Sequence, residues 1–464
     1  MQFFGYLYQA ILSLLPVFLV ASALFIGAHL RFFPFLHPIR VLRHLFRREG
    51  GESTDRANHS ESTDRTNRTD RGESGKDSAR APSPFRAASV ALAGTIGVGN
   101  IAGVSLALLV GGAGAVFWMW VCAAAAMLLK YAEVTLSNSL RESDSKGGFR
   151  GGTPYTMRAL GKHRTAAVFA VLCLVYSVTV GGMVQANAIA DCLFDGLGLP
   201  LWVSGAILLV ITLPIARGGG RRISSFTVRL VPLMCVLYVV ATLAVIFAHA
   251  GNLPAAFGAI LSDAFTPTAA GGGALTFLNT RALRTGVARG LMSNEGGCGT
   301  APLAHAESAS TDSARQGLFG ILEVFVDTVL ICTLTALAIL CAFPVLPSGV
   351  GGMGLVRLSL ATVFGSFAVP LLCLSLFFFA YATILSAAFY AEKCLAFFGL
   401  GVPVCRKAAV FFCFLLPVGA TVSVGLIWGL CDALLAAMTF FNLPILLLES
   451  RRIREATQAS GLLK

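Results

Sequence analysis

Gly94-Thr95-Ile96-Gly97-Val98-Gly99-Asn100-Ile101-Ala102-Gly103 interrupts an apolar stretch that runs from about Ala87 to Val110, long enough to cross a bilayer. Each glycine inside a helix costs about 1 kcal/mol relative to alanine. Broken helices persist at membrane depth only where the freed backbone faces protein or a water-filled cavity. The interruption therefore reads as a binding site.

Composition supports the membrane setting independently: 56% of residues are hydrophobic and 12% charged, with a mean hydropathy of +0.77. Soluble chains carry about 25% charged residues. The net charge of +12 does not point to nucleic acid, because Arg and Lys gather in short segments between apolar runs, the positive-inside pattern. The twelve cysteines sit mostly singly in apolar segments, with no metal-binding spacing, and read as small core residues, not disulfides or ligands.

An apolar segment from about Tyr8 to Leu30 opens the chain. Ala21-Ser22-Ala23 resembles a signal-peptide processing site, but no Arg or Lys precedes Arg31, whereas a signal carries its positive charge ahead of the apolar region. It reads as a retained extra helix, residues 1–30. Arg31, Arg40, Arg43, Arg47 and Arg48 crowd its exit, which sets that exit in the cytoplasm and the N-terminus outside. From Arg48 to Pro84, Glu52-Ser53-Thr54-Asp55-Arg56 recurs as Glu61-Ser62-Thr63-Asp64-Arg65 with almost no apolar residue. Residues 31–86 thus read as a basic, disordered cytoplasmic linker, in which Asn58 and Asn67 match a glycosylation pattern by composition alone.

Further apolar runs follow at about 87–110, 114–138, 166–192, 199–216, 228–250, 283–306, 317–343, 364–392, 408–425 and 427–449, which makes about eleven transmembrane helices with the first. Alternation puts the basic segments 141–164, 217–229, 393–407 and the tail 450–464 in the cytoplasm, and Asp191, Asp195 and Asp263 outside. Arg281, Arg284 and Arg289 enter their run from the outer side and break the rule.

The run 283–306 holds a second interruption, Ser293-Asn294-Glu295-Gly296-Gly297-Cys298-Gly299-Thr300-Ala301-Pro302. Without the N-terminal helix, the two broken segments are numbers one and six of ten, crossing in opposite directions. Glycines also serve close helix packing. Paired breaks carrying Asn100, Asn294 and Glu295 at corresponding places instead point to an inverted-repeat transporter with a midplane site. The repeats span 87–250 and 283–449, joined by an extracytoplasmic loop, 251–282.

Gly111-Gly112-Ala113-Gly114-Ala115-Val116-Phe117-Trp118-Met119-Trp120-Val121, followed by Lys130-Tyr131-Ala132-Glu133, resembles the signature of the alanine or glycine:cation symporters, the sodium:alanine symporter family. The first break, Gly181 to Asn187, Ser293 to Ala306 and Tyr390 to Lys393 resemble it in order. The resemblance implies an all-α polytopic protein of the cell membrane. Its fold would be a leucine-transporter-like 5+5 inverted repeat behind one extra N-terminal helix, carrying a small neutral amino acid inward with sodium as the coupling ion and no other cofactor.

A zwitterion needs donors for its carboxylate and acceptors for its ammonium group. Unwound amides around Thr95, Gly97, Val98 and Gly99 suit the carboxylate. Carbonyls near Ser293, Asn294 and Gly296, with the side-chain amides of Asn100 or Gln185, suit the ammonium. By resemblance to the fold, sodium lies between carbonyls near Ala93 and Ile96 and the hydroxyl of Thr383. Each residue has a plainer reading: Gln185 as a helix–helix bond, Thr383 bonded to its own helix, Glu295 as a partner of Arg289 or Arg284, and Lys130 with Glu133 as a surface pair. Trp118 and Trp120 read as anchors or packing.

The chain departs from the family pattern where Val98 replaces a threonine and where Thr383-Ile384-Leu385-Ser386-Ala387-Ala388 carries Ala387 in place of a tryptophan. The loss of an indole predicts a reshaped side-chain pocket. A channel needs polar positions along several helices, and an enzyme needs a clustered site that seven scattered histidines do not supply. A proton-coupled carrier and a transporter-like amino-acid sensor remain as alternatives.

Overall fold

The computed structural model describes residues 2–47, 81–143, 148–265 and 280–463, so most of the mixed-charge stretch, with Asn58 and Asn67, lies outside the described residues. The chain is almost wholly helical. In order come α1 (Gln2–His29), α2 (Phe33–Leu36), α3 (Pro38–Leu45), α4 (Pro84–Thr95), α5 (Ala102–Gly111), α6 (Gly114–Ser139), α7 (Thr153–Ala159), α8 (His163–Val178), α9 (Gln185–Leu197), α10 (Leu201–Ala216), α11 (Gly219–Ala248) and α12 (Leu253–Ala264). The second half holds α13 (Arg281–Asn294), α14 (Pro302–His305), α15 (Ser313–Val324), α16 (Thr333–Ala342), α17 (Gly352–Phe364), α18 (Ala368–Phe397), α19 (Val402–Thr421), α20 (Val424–Leu448) and α21 (Ser450–Ala459). Among the described residues the strands are two short ones, Glu142–Ser143 paired antiparallel with Phe149–Arg150.

Among the described residues, seven helical segments are long and apolar enough to cross a membrane, and shorter apolar helices lie at Leu14–His29, Ala102–Gly111 and Leu201–Ala216. The candidate span Gly352–Phe397 joins α17 to α18, while α12 lies in the stretch 251–282 read as a loop.

Both interruptions are real breaks. Ser83 caps α4 by accepting from the Arg86 amide, and that helix stops at Thr95, beyond which the Gly97 amide donates to the Asn100 side chain. The helix α13 starts on a Thr280 cap and ends where Glu295 turns into the left-handed region at φ 51°, a conformation uncommon outside glycine.

Between α13 and α6 the packing depends on small residues. A Cβ added at Gly286 would fall on the Ala115 carbonyl oxygen and 2.6 Å from Trp118 Cβ; at Gly290 it would lie 3.0 Å from Cys122 Cβ, and at Gly296 2.6 Å from Ala126 Cα. This is the close backbone approach that small residues allow where no water drives helices together.

Several expectations need correction. Lys130 and Glu133 are not a surface pair: both are buried in α6, and Lys130 Nζ reaches Glu323 Oε1 at 2.5 Å. Their run faces α15 rather than water. Glu295 does not pair with Arg289 or Arg284. Arg289 grips Asp432 through both carboxylate oxygens, at 2.6 and 2.5 Å, which explains how a cation rests on that side of the run. Within the stretch read as linker, residues 33–45 form α2 and α3, with Phe33, Val41 and Leu45 buried.

That arm is anchored at the N-terminus of α15. Asp312 accepts from the Arg315 amide at 3.0 Å, from Ser460 Oγ at 2.6 Å and bonds His44 Nε2 at 2.8 Å. Burial alone raises the Asp312 carboxyl, but the Ser460, Arg315 and His44 bonds outweigh it and hold the carboxyl below the ordinary carboxylate range.

The α6–α13 contact predicts that Gly286→Leu costs about 1–3 kcal/mol by overpacking and lowers the unfolding temperature of the detergent-solubilised protein. Gly258→Ala, where an added Cβ meets nothing within 4 Å, should leave that temperature unchanged or raise it.

Candidate functional site

The two breaks meet backbone to backbone: a Cβ built on Gly99 would lie 3.5 Å from Ser293 Cα and 3.6 Å from the Met292 carbonyl. Around the first break, Gly97 N–H donates to Asn100 Oδ1 at 3.0 Å and Val98 N–H donates to Gln185 Oε1 at 3.1 Å. Thr383 Oγ1, on α18, donates to the Ile96 carbonyl at 3.1 Å and lies equally close to the Phe379 carbonyl of its own helix. Gly97 is the meeting point of these groups, since a side chain there would collide with both Thr383 Oγ1 (2.7 Å) and Gln185 Oε1 (2.9 Å).

A carboxylate that sequence reasoning passed over binds the two breaks together. Asp327 is fully buried. Its Oδ1 accepts from Asn100 Nδ2 at 2.7 Å, and its Oδ2 accepts from Ser293 Oγ at 2.6 Å and from Thr328 Oγ1 at 2.6 Å. The Asn100 amide also reaches the Asp327 carbonyl at 3.0 Å, while Thr335 Oγ1 donates to the Asn100 carbonyl at 2.9 Å. The signal was present in the chain as an acidic residue inside the apolar run 317–343, where ionisable groups are costly and functional by default.

Local backbone geometry brings both contacts about. Asp327 lies in a π-helical stretch, Phe325–Cys332, between α15 and α16. Gln185 follows a second one, Thr179–Val184, between α8 and α9. Such widened turns shift the facing of the residues that follow and cluster at functional sites. Here each one aims a polar side chain at the same break.

Other candidates lie elsewhere. Thr95 Oγ1 turns back to the Leu92 carbonyl. Asn294 folds onto its own break, accepting from the Gly296 amide at 3.0 Å, with its amide toward Cys122 Sγ. Glu295 is bonded by Tyr176 Oη and Thr300 Oγ1. Ala93 is buried in the last turn of α4. Ala387 is buried, and the Cβ that Gly181 lacks would strike it. Gly181 packs directly against Ala387, so the Ala387 methyl faces a helix backbone.

A second polar layer continues past Glu295. Glu133 Oε2 accepts from the Gly299 amide at 3.0 Å and from Asn442 Nδ2 at 2.9 Å. Glu323 receives Lys130 and bonds His305 at 3.2 Å, and His305 bonds Gln316 at 2.7 Å. His305 is therefore one link of a network.

A cavity of about 660 Å³ reaches the first break at Val98 and is lined by Asn187, Asp191, Asp195, Arg357 and Trp428 among others. At the opposite end Lys393 pairs with Glu307, Glu392 accepts from the Gly220 amide at 2.9 Å, and Arg86 bonds Ser224 Oγ at 2.8 Å and the Arg221 carbonyl at 3.1 Å. The break is thus lined by a cavity on one side, while toward the other end Glu307, Glu392 and Lys393 line a second cavity of about 470 Å³ whose lining includes no residue of the break.

The chain is similar to solved transporters of the leucine-transporter fold. MhsT in complex with L-phenylalanine aligns with a TM-score of 0.55 at 15% identity, covering 82% of this chain and 99% of that one. A substrate-bound, outward-open Na+-coupled sialic acid symporter aligns at 0.51 and 12% identity, covering 94% and 86%. By sequence it is 36% identical to the sodium/alanine symporter AgcS of Methanococcus maripaludis, over 81% of this chain and 84% of AgcS. It is 31% identical to the amino-acid carrier protein AlsT of Bacillus subtilis, over 79% and 78%. The sodium:alanine symporter family matches residues 2–459. A multi-pass membrane protein with two glycine breaks joined at a buried polar site, this chain belongs to the sodium:alanine symporter family.

Proposed function

We propose that the chain carries a small neutral amino acid into the cell with sodium by alternating access at the paired breaks. Family membership establishes sodium-coupled amino-acid symport in general terms; the cargo, the residues and the direction are our reading. The observation that carries it is the convergence of Gln185, Asn100 and Thr383 on Gly97 and Val98, with Ser293 of the second break tied in through Asp327.

In this reading the amides of Gly97, Val98 and Gly99 receive the substrate carboxylate, which displaces Gln185 Oε1 from Val98. Carbonyls around Ser293, with Asn100, take the ammonium group, and Asp327 supplies nearby negative charge. Thr95, Asn294 and Gly296 contribute main-chain groups only. Ile96 O and Thr383 Oγ1 lie within 3.1 Å of each other, and a hard cation takes such oxygens as ligands; with the Ala93 carbonyl they would hold sodium. The cavity at Val98 opens toward the end bearing Asp191 and Asp195, the end the charge pattern assigns to the outside, which supports entry from that side. Rocking of the repeats then exposes the site to the other side.

Proteoliposomes should accumulate labelled alanine or another small neutral amino acid only with an inward sodium gradient. Unchanged uptake in choline, driven by a pH gradient alone, would replace sodium with protons. Thr383→Val should raise the sodium concentration for half-maximal uptake about tenfold, about 1.4 kcal/mol. Asp327→Ala strips three buried donors of a charged acceptor, each bond contributing about 1.5–3 kcal/mol; substrate affinity by scintillation proximity should fall at least about tenfold, and Ser293→Ala should cost less. Ala387→Trp should lower thermal stability and expression, because Gly181 occupies the space, rather than sharpen preference for alanine.

A further inference from the structure

The cavity wall holds a pair of thiols that the transport reading does not use. Cys192 on α9 and Cys373 on α18 both line the cavity, and their sulfurs lie 2.9 Å apart, closer than two unbonded sulfurs ordinarily rest. Both are free cysteines. The approach is built into the helices: a Cβ at Gly196, one turn beyond Cys192, would lie 2.6 Å from Val369 Cγ1 and 3.2 Å from Cys373 Sγ. A side chain at Gly196 would press on Val369 and Cys373 of α18. The same two helices carry Gln185 and Thr383 deeper in the protein, so a covalent link would join the two walls that meet at Gly97.

We propose that Cys192 and Cys373 are an oxidisable dithiol, converted to a disulfide through the cavity by thiol–disulfide exchange with an external disulfide. One cysteine thiolate attacks a sulfur of that disulfide, forming a mixed disulfide and expelling one external thiolate. The second cysteine thiolate then attacks the protein-bound sulfur and expels the other. The two cysteines lose two electrons; the external disulfide gains them and takes up the two protons as two thiols. The end of the cavity bearing Asp191 and Asp195 faces outward on the charge pattern, and oxidising compartments are where such links form and persist. The inference does not depend on which solute is carried.

The test uses the full chain, purified fully reduced and treated with oxidised glutathione before denaturing alkylation with a polyethylene-glycol maleimide. Wild type should lose two of its twelve modifiable thiols and regain both in dithiothreitol, and peptide mass spectrometry should find the segments around Cys192 and Cys373 joined. Cys192→Ser and Cys373→Ser should each stop at a glutathione mixed disulfide on the remaining partner. Full alkylation of treated wild type, or protection that persists in the double variant, overturns the proposal. The joined peptide is read on wild type alone, so a poorly folding variant does not blunt the test.

Discussion

The placement of the two broken helices depends on one buried carboxylate. Asp327 draws Asn100 from the first break and Ser293 from the second onto the same group. An unpaired buried carboxylate costs several kcal/mol, and hydrogen bonds to a charge contribute about 1.5–3 kcal/mol each. Both breaks must therefore sit where their donors reach Asp327. The unwound backbone of Gly97 to Asn100 is then specified by chemistry on another helix rather than left slack.

Farther along, a second set of buried charges fixes the helices that flank the break. Glu323 of α15 receives Lys130 of α6 and bonds His305 of α14, while Glu133 reaches Gly299 and Asn442. Removing one member of a buried ion pair costs about 3–5 kcal/mol because the other is left uncompensated. The register of α6 against α15 is consequently set by charge as well as by the fit of Gly317 and Gly320 against α6.

Glycine breaks, apolar runs and signature motifs made the fold and the first break legible in the sequence. Gln185 and Thr383 lie beside the first break, bonded to Val98 and Ile96; Thr383 is singled out in the sequence by resemblance to the fold and not by helical spacing. Asp327 was missed for an opposite reason: its partners Asn100 and Ser293 come from two distant segments, and the π-helical turn that aims it leaves no periodic trace. Lys130 and Glu133 were misread because spacing within one helix says nothing about the helix packed against it. The same limit applies to Ala387. A smaller residue implies a larger pocket only if open space lies beside it, and Gly181 packs directly on Ala387.

Gln185 has a consequence for how long a solute stays. Its Oε1 satisfies the Val98 amide, so a carboxylate received there, as proposed above, would exchange one hydrogen bond for another instead of gaining one outright. Net gain from such an exchange is small compared with the gross strength of the contact. Under the proposed reading, Gln185 would compete with the solute for the Val98 amide, which would shorten residence and favour release.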